Sequence, residues 1–367
     1  MTDFISPLTR NFDAGDHRPF GRRLRSPRGA RVPLVVVTGF LGAGKTTLIR
    51  NLLKEPEGAD TLVIVNEFGE VGIDDALLKA GGDATVLIGN GCLCCVLRSD
   101  LQRTLVEVLA ERARGELPPF QQIILETSGL ADPVPILQTL TADRGLAGQI
   151  HLQAVVTVVD AVLGLRTLDE APEARRQVAV ADRIVLTKTD LAGEATAGKL
   201  EAEIQALNAA PVVARARMGH VPPDVILADN AALTEPIYPP RERGRHAPDV
   251  DSFTLRFDTP LSWPAVEQVF ELLARLRGHD ILRAKGLLDI AGCKGPVVVH
   301  QVQHLTAKPV ELERWPDEDR TSRLVFITRG IARAEIESLF AIVQHLAEGA
   351  GPQPLTAATA GGSADPR

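Results

Sequence analysis

The nine residues 39–47 constrain this chain more than any other feature. They read Gly-Phe-Leu-Gly-Ala-Gly-Lys-Thr-Thr, and they follow directly on the apolar run Val32–Thr38. A strand, a glycine-rich loop and a helix in this order gather several backbone N–H groups at the positive end of the helix. The pattern therefore predicts a loop that wraps the phosphates of a nucleotide. The alternative is an ordinary glycine-rich turn between a strand and a helix, which does not require the full pattern.

Each residue type in this loop suits contact with phosphate. Gly39, Gly42 and Gly44 let the backbone curve closely around phosphate oxygens because they carry no side chain. Lys45 can reach the β- and γ-phosphates, and the hydroxyl of Thr46 can ligate Mg²⁺. The residues that we expect to contact the nucleotide here are Gly39, Gly42, Ala43, Gly44, Lys45, Thr46 and Thr47.

A second group of polar residues follows the buried strand expected at 122–125. Glu126 stands where an acidic residue can hold the hydration shell of the magnesium ion, and the backbone N–H of Gly129 can sense the γ-phosphate. Taken alone, these residues equally fit a strand end with polar caps, but the glycine loop favours the functional interpretation. We expect Lys45, Thr46 and Glu126 to be the catalytic residues, with Thr46 and Glu126 serving magnesium.

A third group, Thr187-Lys188-Thr189-Asp190, suits recognition of guanine. The carboxylate of Asp190 can accept hydrogen bonds from two N–H groups of guanine, whereas adenine presents the opposite pattern. The aliphatic stem of Lys188 can lie over the base. Asparagine is the usual first residue of this motif, and Thr187 departs from it. The competing interpretation is a surface turn that caps the next helix. Thr187, Lys188 and Asp190, with Gly129, complete the expected nucleotide site.

Three of the four cysteines crowd into one turn as Cys92, Cys94 and Cys95. Thiolates select Zn²⁺ and Cu(I) over hard ions, and Co²⁺ is also accepted. So short a turn needs help to close a tetrahedral site, so two thiolates with Glu67 or a solvent molecule are as plausible as three thiolates. An open site suits an ion that must leave again. Oxidation of the adjacent thiols is the main competing role.

Composition narrows the class of protein and its location. The chain has 45% apolar and 24% charged residues, as a globular protein does. Its net charge of −7 argues against a general nucleic-acid binder, which needs a basic surface. We see no apolar stretch that would span a membrane and no apolar core of a secretory signal at the N-terminus. We therefore expect a cytoplasmic protein.

The chain is organised as two units with different patterns. Apolar runs without alternation, separated by helical patterns, predict an α/β domain with a mostly parallel sheet and helices on both faces. The later part mixes strands and helices and predicts a smaller α+β C-terminal domain. The expected divisions are a disordered tail at 1–31, the nucleotide-binding domain at 32–215, a linker at 216–250, the α+β domain at 251–347 and a disordered tail at 348–367.

Together these residues resemble the CobW-like GTPases, a family of P-loop GTPases that act as metallochaperones. The matching stretches are 39–47, 66–74, 91–95, 126–133, 155–160 and 187–190, followed by 253–257, 282–286 and 323–327. The resemblance implies a P-loop NTPase fold, GTP with Mg²⁺, slow hydrolysis, zinc or cobalt at Cys92, Cys94 and Cys95, and delivery of that ion to a client metalloprotein. This chain lacks the His-rich segment of many relatives, which leaves the metal open. The oligomeric state is also left open, and a homo-oligomer is one possibility.

The polar segment 66–74 lies in the sequence between the glycine loop at 39–47 and the cysteine turn at 92–95. It can act as a switch that the γ-phosphate orders and hydrolysis releases, although a solvated acidic loop would look the same. The sequence offers no evident catalytic base or arginine finger, so we expect slow intrinsic turnover. The alternatives are an activator of one metalloenzyme, such as a nitrile hydratase or a cobalamin-pathway enzyme, a regulatory GTPase without cargo, and a thiol-redox ATPase.

Overall fold

The computed structural model describes residues 20, 24, 28–66, 85–87, 96–208, 211–228, 250–316 and 318–349. None of the described helices is both long enough and apolar enough to cross a lipid bilayer.

The first unit is built on a parallel sheet. Its strands are β1 Val32–Thr38, β2 Thr61–Asn66, β3 Thr85–Leu87, β4 Gln122–Thr127, β5 Ile150–Asp160, β6 Arg183–Thr187 and β7 Val212–Arg215. Within the described residues they form one sheet in the order β3-β2-β4-β1-β5-β6-β7, and every pair is parallel. Its helices are α1 Lys45–Leu52, α2 Val96–Arg114, α3 Val134–Ala142, α4 Arg144–Gln149, α5 Gly164–Glu170, α6 Pro172–Ala179, α7 Thr189–Ala192, α8 Glu194–Leu207 and α9 Asp224–Leu227.

Helices cover both faces of this sheet, which explains the unbroken apolar run of β1. Leu34 and Val36 share one buried cluster with Leu105 of α2, whereas Val35 shares another with Leu48 of α1. Successive side chains of a strand point to opposite faces, so a strand buried on both faces must be apolar at every position. The predicted parallel α/β sheet is confirmed.

The second unit is a smaller α+β domain. Its strands are β8 Val250–Phe257, β9 Ile281–Leu288, β10 Val297–Val302, β11 Leu305–Thr306, β12 Val310–Glu311 and β13 Ser322–Arg329, and its helices are α10 Trp263–Arg277 and α11 Arg333–Gly349. The strands pair antiparallel in the order β11-β10-β9-β13-β8, with β12 also on β10. Both helices contribute to one buried cluster with this sheet. The predicted α+β class of this unit is therefore confirmed.

Parts of the expected tail and linker pack against the two units. Phe20 meets Trp263 edge to face, with ring centroids 4.6 Å apart, and Leu24 exchanges backbone hydrogen bonds with Glu311 and Glu313. Ile226 is buried in the core of the first unit. Single apolar side chains of the segments predicted as a tail at 1–31 and a linker at 216–250 therefore pack on the two units. The predicted domain bounds stay predictions.

The two units share a core and a buried ion cluster. Leu282 and Ile327 of the second unit belong to the same buried cluster as Leu34 of the first. Beside it, Asp182 accepts hydrogen bonds from Arg283 at 2.8 Å and Lys285 at 3.2 Å. We call Asp182, Arg283 and Lys285 the interdomain ion cluster. Burial alone would raise the pKa of Asp182, but the two cations overcome it and hold that pKa well below its ordinary range.

Two histidines near this cluster are held in the neutral form. Burial lowers the pKa of His151 to about 3, and the positive charges of Arg31 and Lys285 act in the same direction, while Asp182 opposes them. The Nδ1 atom of His151 lies 3.4 Å from a guanidinium nitrogen of Arg31, a contact that suits a neutral ring accepting a hydrogen bond. Burial also lowers the pKa of His300 well below its ordinary value.

We expect mild acid to destabilise the fold through these rings. The unfolded chain protonates His151 near pH 6.5, whereas the folded chain does so only near pH 3, so the unfolded state binds more protons in between. The free energy of unfolding is therefore greatest above that window and falls as the pH drops through it, by about 1.4 kcal/mol per pH unit for each such ring. The substitution His151→Gln should make this fall shallower in urea unfolding curves recorded across the window. The exposed His304→Gln is the matched control, and equal slopes in His151→Gln and the unsubstituted chain would contradict the assignment.

Candidate nucleotide-binding site

The predicted site residues come together at one edge of the parallel sheet. Strands β1, β4, β5 and β6 are neighbours in it and run in the same direction, so their carboxyl ends meet. The glycine loop follows β1, Glu126 is the next-to-last residue of β4, and Thr187 ends β6. Ligands of open α/β sheets bind at this edge, beside the point where the order of the strands reverses.

The glycine loop needs its glycines for two different reasons. Gly39 has a φ of 141°, and a Cβ atom placed on it would lie 2.2 Å from the carbonyl oxygen of Val158 in β5. A side chain there would force the loop off the sheet. Gly42 and Gly44 have φ values of 72° and 96°, in the left-handed region that favours glycine. Gly44 is also the residue before α1, so the loop turns directly into the helix.

Lys45 and Thr46 open α1 with their polar groups turned towards this loop and towards β4. The ammonium of Lys45 donates to the carbonyl of Gly39 at 2.9 Å and to that of Phe40 at 3.3 Å. The hydroxyl of Thr46 donates to Oε1 of Glu126 at 2.7 Å, across 80 residues of sequence. An ammonium group and a hydrogen-bonded hydroxyl–carboxylate pair thus lie side by side at the start of α1.

The turn after β4 rests directly on the glycine loop. A Cβ atom added to Gly129 would lie 2.6 Å from the backbone nitrogen of Leu41 and 2.8 Å from its Cα atom. Gly129 is therefore required for a close approach of two backbones, and its own φ is not in the left-handed region. The turn expected to sense the γ-phosphate is in contact with the loop expected to bind it.

Thr187 ties the third motif to the first. Its hydroxyl donates to the carbonyl of Ala43 at 2.7 Å, and both residues are buried. A hydroxyl in this place can bridge two loops as an amide would, but it brings no second polar group to a base. Threonine in place of asparagine thus still links the two loops through its hydroxyl group.

Lys188 and Asp190 flank the space beside this link. Lys188 has a φ of 55°, and its ammonium donates to the carbonyl of Gly42 at 3.0 Å and to Asp160 at 2.5 Å. Its stem therefore runs from the Thr187 loop to the glycine loop. Asp190 is exposed on α7.

The remaining predicted residues divide into two sets. Ala43 is buried under the loop and Thr47 is exposed on α1. The residues expected to bind zinc lie outside the described residues, as does most of the 66–74 segment; they are Glu67, Cys92, Cys94 and Cys95. In the described part of the chain, no three histidine, cysteine, aspartate or glutamate side chains lie together as a metal-binding group.

Two residues of the site were not predicted from the sequence. Asp160 ends β5, pairs with Lys188 and accepts hydrogen bonds from the backbone of Val162 and Leu163 at 2.7 and 3.2 Å. The sequence signal that could have identified Asp160 is the one used for Glu126, an acidic residue at the end of a buried strand. The side-chain amide of Gln177 in α6 donates to the carbonyl of Gly129. Nothing in the sequence around Gln177 indicates that contact.

This loop, the Thr46–Glu126 pair and the parallel sheet define a P-loop nucleotide-binding domain. Residues 33–214 match the family described as "CobW/HypB/UreG, nucleotide-binding domain", and residues 250–343 match "Cobalamin synthesis protein cobW C-terminal domain". The chain belongs to the CobW/HypB/UreG family, as its sequence motifs indicated.

Curated relatives and a solved structure extend this similarity over both units. The chain is 34% identical over 315 residues to the zinc chaperone YjiA of Escherichia coli, covering 84% of this chain and 98% of YjiA. It is 34% identical over 363 residues to the zinc chaperone CobW of Pseudomonas aeruginosa, covering 87% and 94%. The crystal structure of Zn(II)-bound YjiA GTPase from E. coli superposes with a TM-score of 0.66 at 31% identity, covering 85% of this chain and 99% of that one.

We expect Thr187→Val to loosen the contact between the two loops. Valine has nearly the same shape but leaves the buried carbonyl of Ala43 without its 2.7 Å donor. An unsatisfied buried carbonyl costs about 1–3 kcal/mol, which urea unfolding will detect. Thr187→Ser retains the hydroxyl and should recover most of that free energy. If the serine variant were as unstable as the valine variant, packing of the methyl group would be the cause instead of the hydrogen bond.

Proposed function

We propose that this protein is a GTP-binding and GTP-hydrolysing metallochaperone that carries zinc, or cobalt, to a client metalloprotein. The observation that carries the nucleotide part is the 2.7 Å contact of Thr46 with Glu126 at the mouth of a complete glycine loop. The carrier part is supported by two relatives named zinc chaperones that align with this chain over nearly their whole length.

The phosphate end of the nucleotide would lie in the glycine loop. Lys45 would turn from the carbonyls of Gly39 and Phe40 to the β- and γ-phosphates, which are stronger acceptors for its ammonium. Thr46 and Glu126 supply oxygen atoms, the ligands that Mg²⁺ takes, and they would hold the ion beside the phosphates. Bound there, magnesium neutralises charge on the phosphates.

The base would lie between the Thr187 loop and solvent. Asp190 accepts from the two N–H groups of guanine, and the stem of Lys188, held at Gly42 and Asp160, covers the ring. Hydrolysis by the chain alone would be slow, because the sequence offers no evident catalytic base or arginine finger. The client, or a second copy of the chain, would then raise the rate.

Zinc would be cargo, held by thiolates of Cys92, Cys94 and Cys95 with Glu67 or solvent. The two halves of the function are joined by linkage: if the GTP state reshapes the 66–74 segment, zinc affinity differs between the GTP and GDP states. The reciprocal effect on nucleotide affinity must then be equal. A cytoplasmic location and a client of unknown identity complete the proposal.

One other function is favoured by a specific observation. Over 167 residues the chain is 35% identical to a protein of Schizosaccharomyces pombe named "Zinc-regulated GTPase metalloprotein activator 1", covering 44% of this chain and 39% of that protein. An activator of a single metalloenzyme would raise the activity of that enzyme alone. A carrier would metallate any accepted apo-client in the presence of a competing chelator, and a regulatory GTPase without cargo would metallate none.

We expect Asp190→Asn to weaken GTP far more than ATP. The amide keeps the shape of the carboxylate but cannot accept two hydrogen bonds with a full negative charge. Loss of charged hydrogen bonds costs about 1.5–3 kcal/mol, or roughly 10- to 150-fold in the dissociation constant for GTP. Fluorescence titration with labelled GTP and ATP measures both constants. The exposed Asp169→Asn on α5 is the matched control, and an equal loss for both nucleotides would remove guanine recognition from Asp190.

We expect zinc affinity to depend on the nucleotide and on the cysteine turn. A competition titration with a chromophoric chelator should give tighter zinc binding with a non-hydrolysable GTP analogue than with GDP, by about 5- to 150-fold. Cys94→Ala should abolish the tight site. Cys293→Ala is the matched control, because Cys293 packs half-buried against the second core and burial raises its pKa to about 12. Equal zinc affinity in the two nucleotide states would end the coupling, and tight zinc binding by Cys94→Ala would end the assignment of the site.

A further inference from the structure

One segment of the first unit touches both the turn expected to sense the γ-phosphate and the second unit. It consists of residues 176–183, the end of α6 with the start of β6, and we call it the α6 strap. Neither its sequence nor the proposed function assigns it a role. Its contacts at both ends are polar, short and buried.

At one end, Gln177 holds the turn after β4. Its side-chain amide donates to the carbonyl of Gly129 and to that of Ala131, both at 3.1 Å, and the residue is 1% exposed. Its own carbonyl accepts a 2.7 Å hydrogen bond from the hydroxyl of Thr157 in β5. An amide that bridges two backbone carbonyls in a buried place fixes the path of the chain between them.

The position of this turn decides where the N–H of Gly129 points. Its backbone packs against Leu41 of the glycine loop so closely that a Cβ atom on Gly129 would lie 2.6 Å from the nitrogen of Leu41. A turn confined between the glycine loop on one side and Gln177 on the other has little freedom to adjust to a phosphate. Gln177 therefore pre-organises the turn, and removal of its amide would cost most where the terminal phosphate is bound.

At the other end, the strap holds the second unit. Arg283 of β9 donates to the carbonyl of Val180 and pairs with Asp182, and Lys285 of β9 pairs with Asp182 as well. Asn208 keeps the strap in one shape between its ends, since its amide donates to the carbonyls of three strap residues at 2.9–3.1 Å. Those residues are Val178, Ala179 and Ala181.

We propose that Gln177 is a positioning residue for the terminal phosphate, and that the α6 strap conveys the presence of that phosphate from Gly129 to strand β9 of the second unit. The proposal rests on the proposed nucleotide function. It adds a route by which the nucleotide state would affect the second domain, which would bind the client. A phosphate that draws the N–H of Gly129 towards it moves the two carbonyls that Gln177 holds. The displacement passes along one rigid segment to the interdomain ion cluster.

The test uses the full chain and two probes, a non-hydrolysable GTP analogue and GDP, both with Mg²⁺. Isothermal titration gives the ratio of their affinities, and hydrogen exchange of the β9 amides compares the two complexes. In the unsubstituted chain we expect protection of β9 to differ between analogue and GDP. Gln177→Met should reduce affinity for the analogue by about tenfold, the worth of one or two hydrogen bonds, and should change GDP affinity less than twofold. It should also abolish the difference in β9 exchange.

A matched control separates this role from simple stability. Gln153 is also buried, and its amide also donates to two backbone carbonyls, those of Leu227 and Ala228. Gln153→Met should lower stability but leave the affinity ratio and the exchange difference unchanged. If Gln177→Met does not fold by circular dichroism, Gln177→Glu retains the shape without the two donors and should give the same result.

The experiment distinguishes failure of the proposed nucleotide function from failure of the role proposed for Gln177 and the α6 strap. An unsubstituted chain that binds neither guanine nucleotide overturns the proposed function. A chain that binds both, but in which Gln177→Met weakens analogue and GDP equally or weakens neither, overturns the positioning role alone. Exchange of β9 that is the same in both complexes of the unsubstituted chain overturns transmission through the strap.

Discussion

The approach of Gly39 to the carbonyl of Val158 is the contact on which the site depends. At this point the chain leaves β1 while still pressed against β5, with no room for a Cβ atom. The loop can then curve over the end of the sheet and enter α1 at Lys45. Without that close passage, the ammonium of Lys45 and the hydroxyl of Thr46 would start from another place, and the 2.7 Å contact of Thr46 with Glu126 would be lost.

Three carbonyls of this loop accept hydrogen bonds from side chains, one from Lys45 at the end of the loop itself and two from the distant Thr187–Lys188 segment. Lys45 binds the carbonyl of Gly39, Lys188 that of Gly42 and Thr187 that of Ala43. Because the C=O and N–H of one planar peptide point in opposite directions, the carbonyl of Ala43 held by Thr187 turns the next N–H away from Thr187. Fixing carbonyls from outside is thus a way to orient N–H groups before any ligand arrives, which lowers the cost of binding one.

The sequence predicted best what depends on local pattern. Strands such as β1 and β4 are buried on both faces, so their unbroken apolar runs could be recognised in the sequence. The glycine loop could be recognised because one short turn sets the spacing of its residues. Short strands such as β7 and β11 are partly exposed and therefore carry little apolar signal in the sequence. The burial of Ile226 was missed because its segment is rich in proline, and one apolar side chain in such a segment has no period to detect.

What the sequence could not predict are contacts between residues far apart in the chain. Thr187 was identified as a departure from asparagine, yet its partner Ala43 is 144 residues away and offers only a backbone carbonyl. Backbone acceptors carry no signature in the sequence. The same holds for Gln177 and Gly129, where a buried glutamine in an amphipathic helix looks like any other polar residue until its two acceptors are in place.

The polar contacts at both ends of the α6 strap have a consequence for how the units can move. Removing one partner from a buried ion pair is strongly destabilising, although the complete pair adds little to stability compared with apolar packing. The cluster of Asp182, Arg283 and Lys285 therefore defines a specific relative placement of the two units instead of contributing much to their affinity. Hydrogen bonds weaken as their length and angle depart from the preferred values, so those at the two ends of the strap favour a narrow range of geometry. If, as proposed, the strap moves with the Gly129 turn when a phosphate binds, these bonds would carry the movement to the second unit, because they fix the strap at both ends.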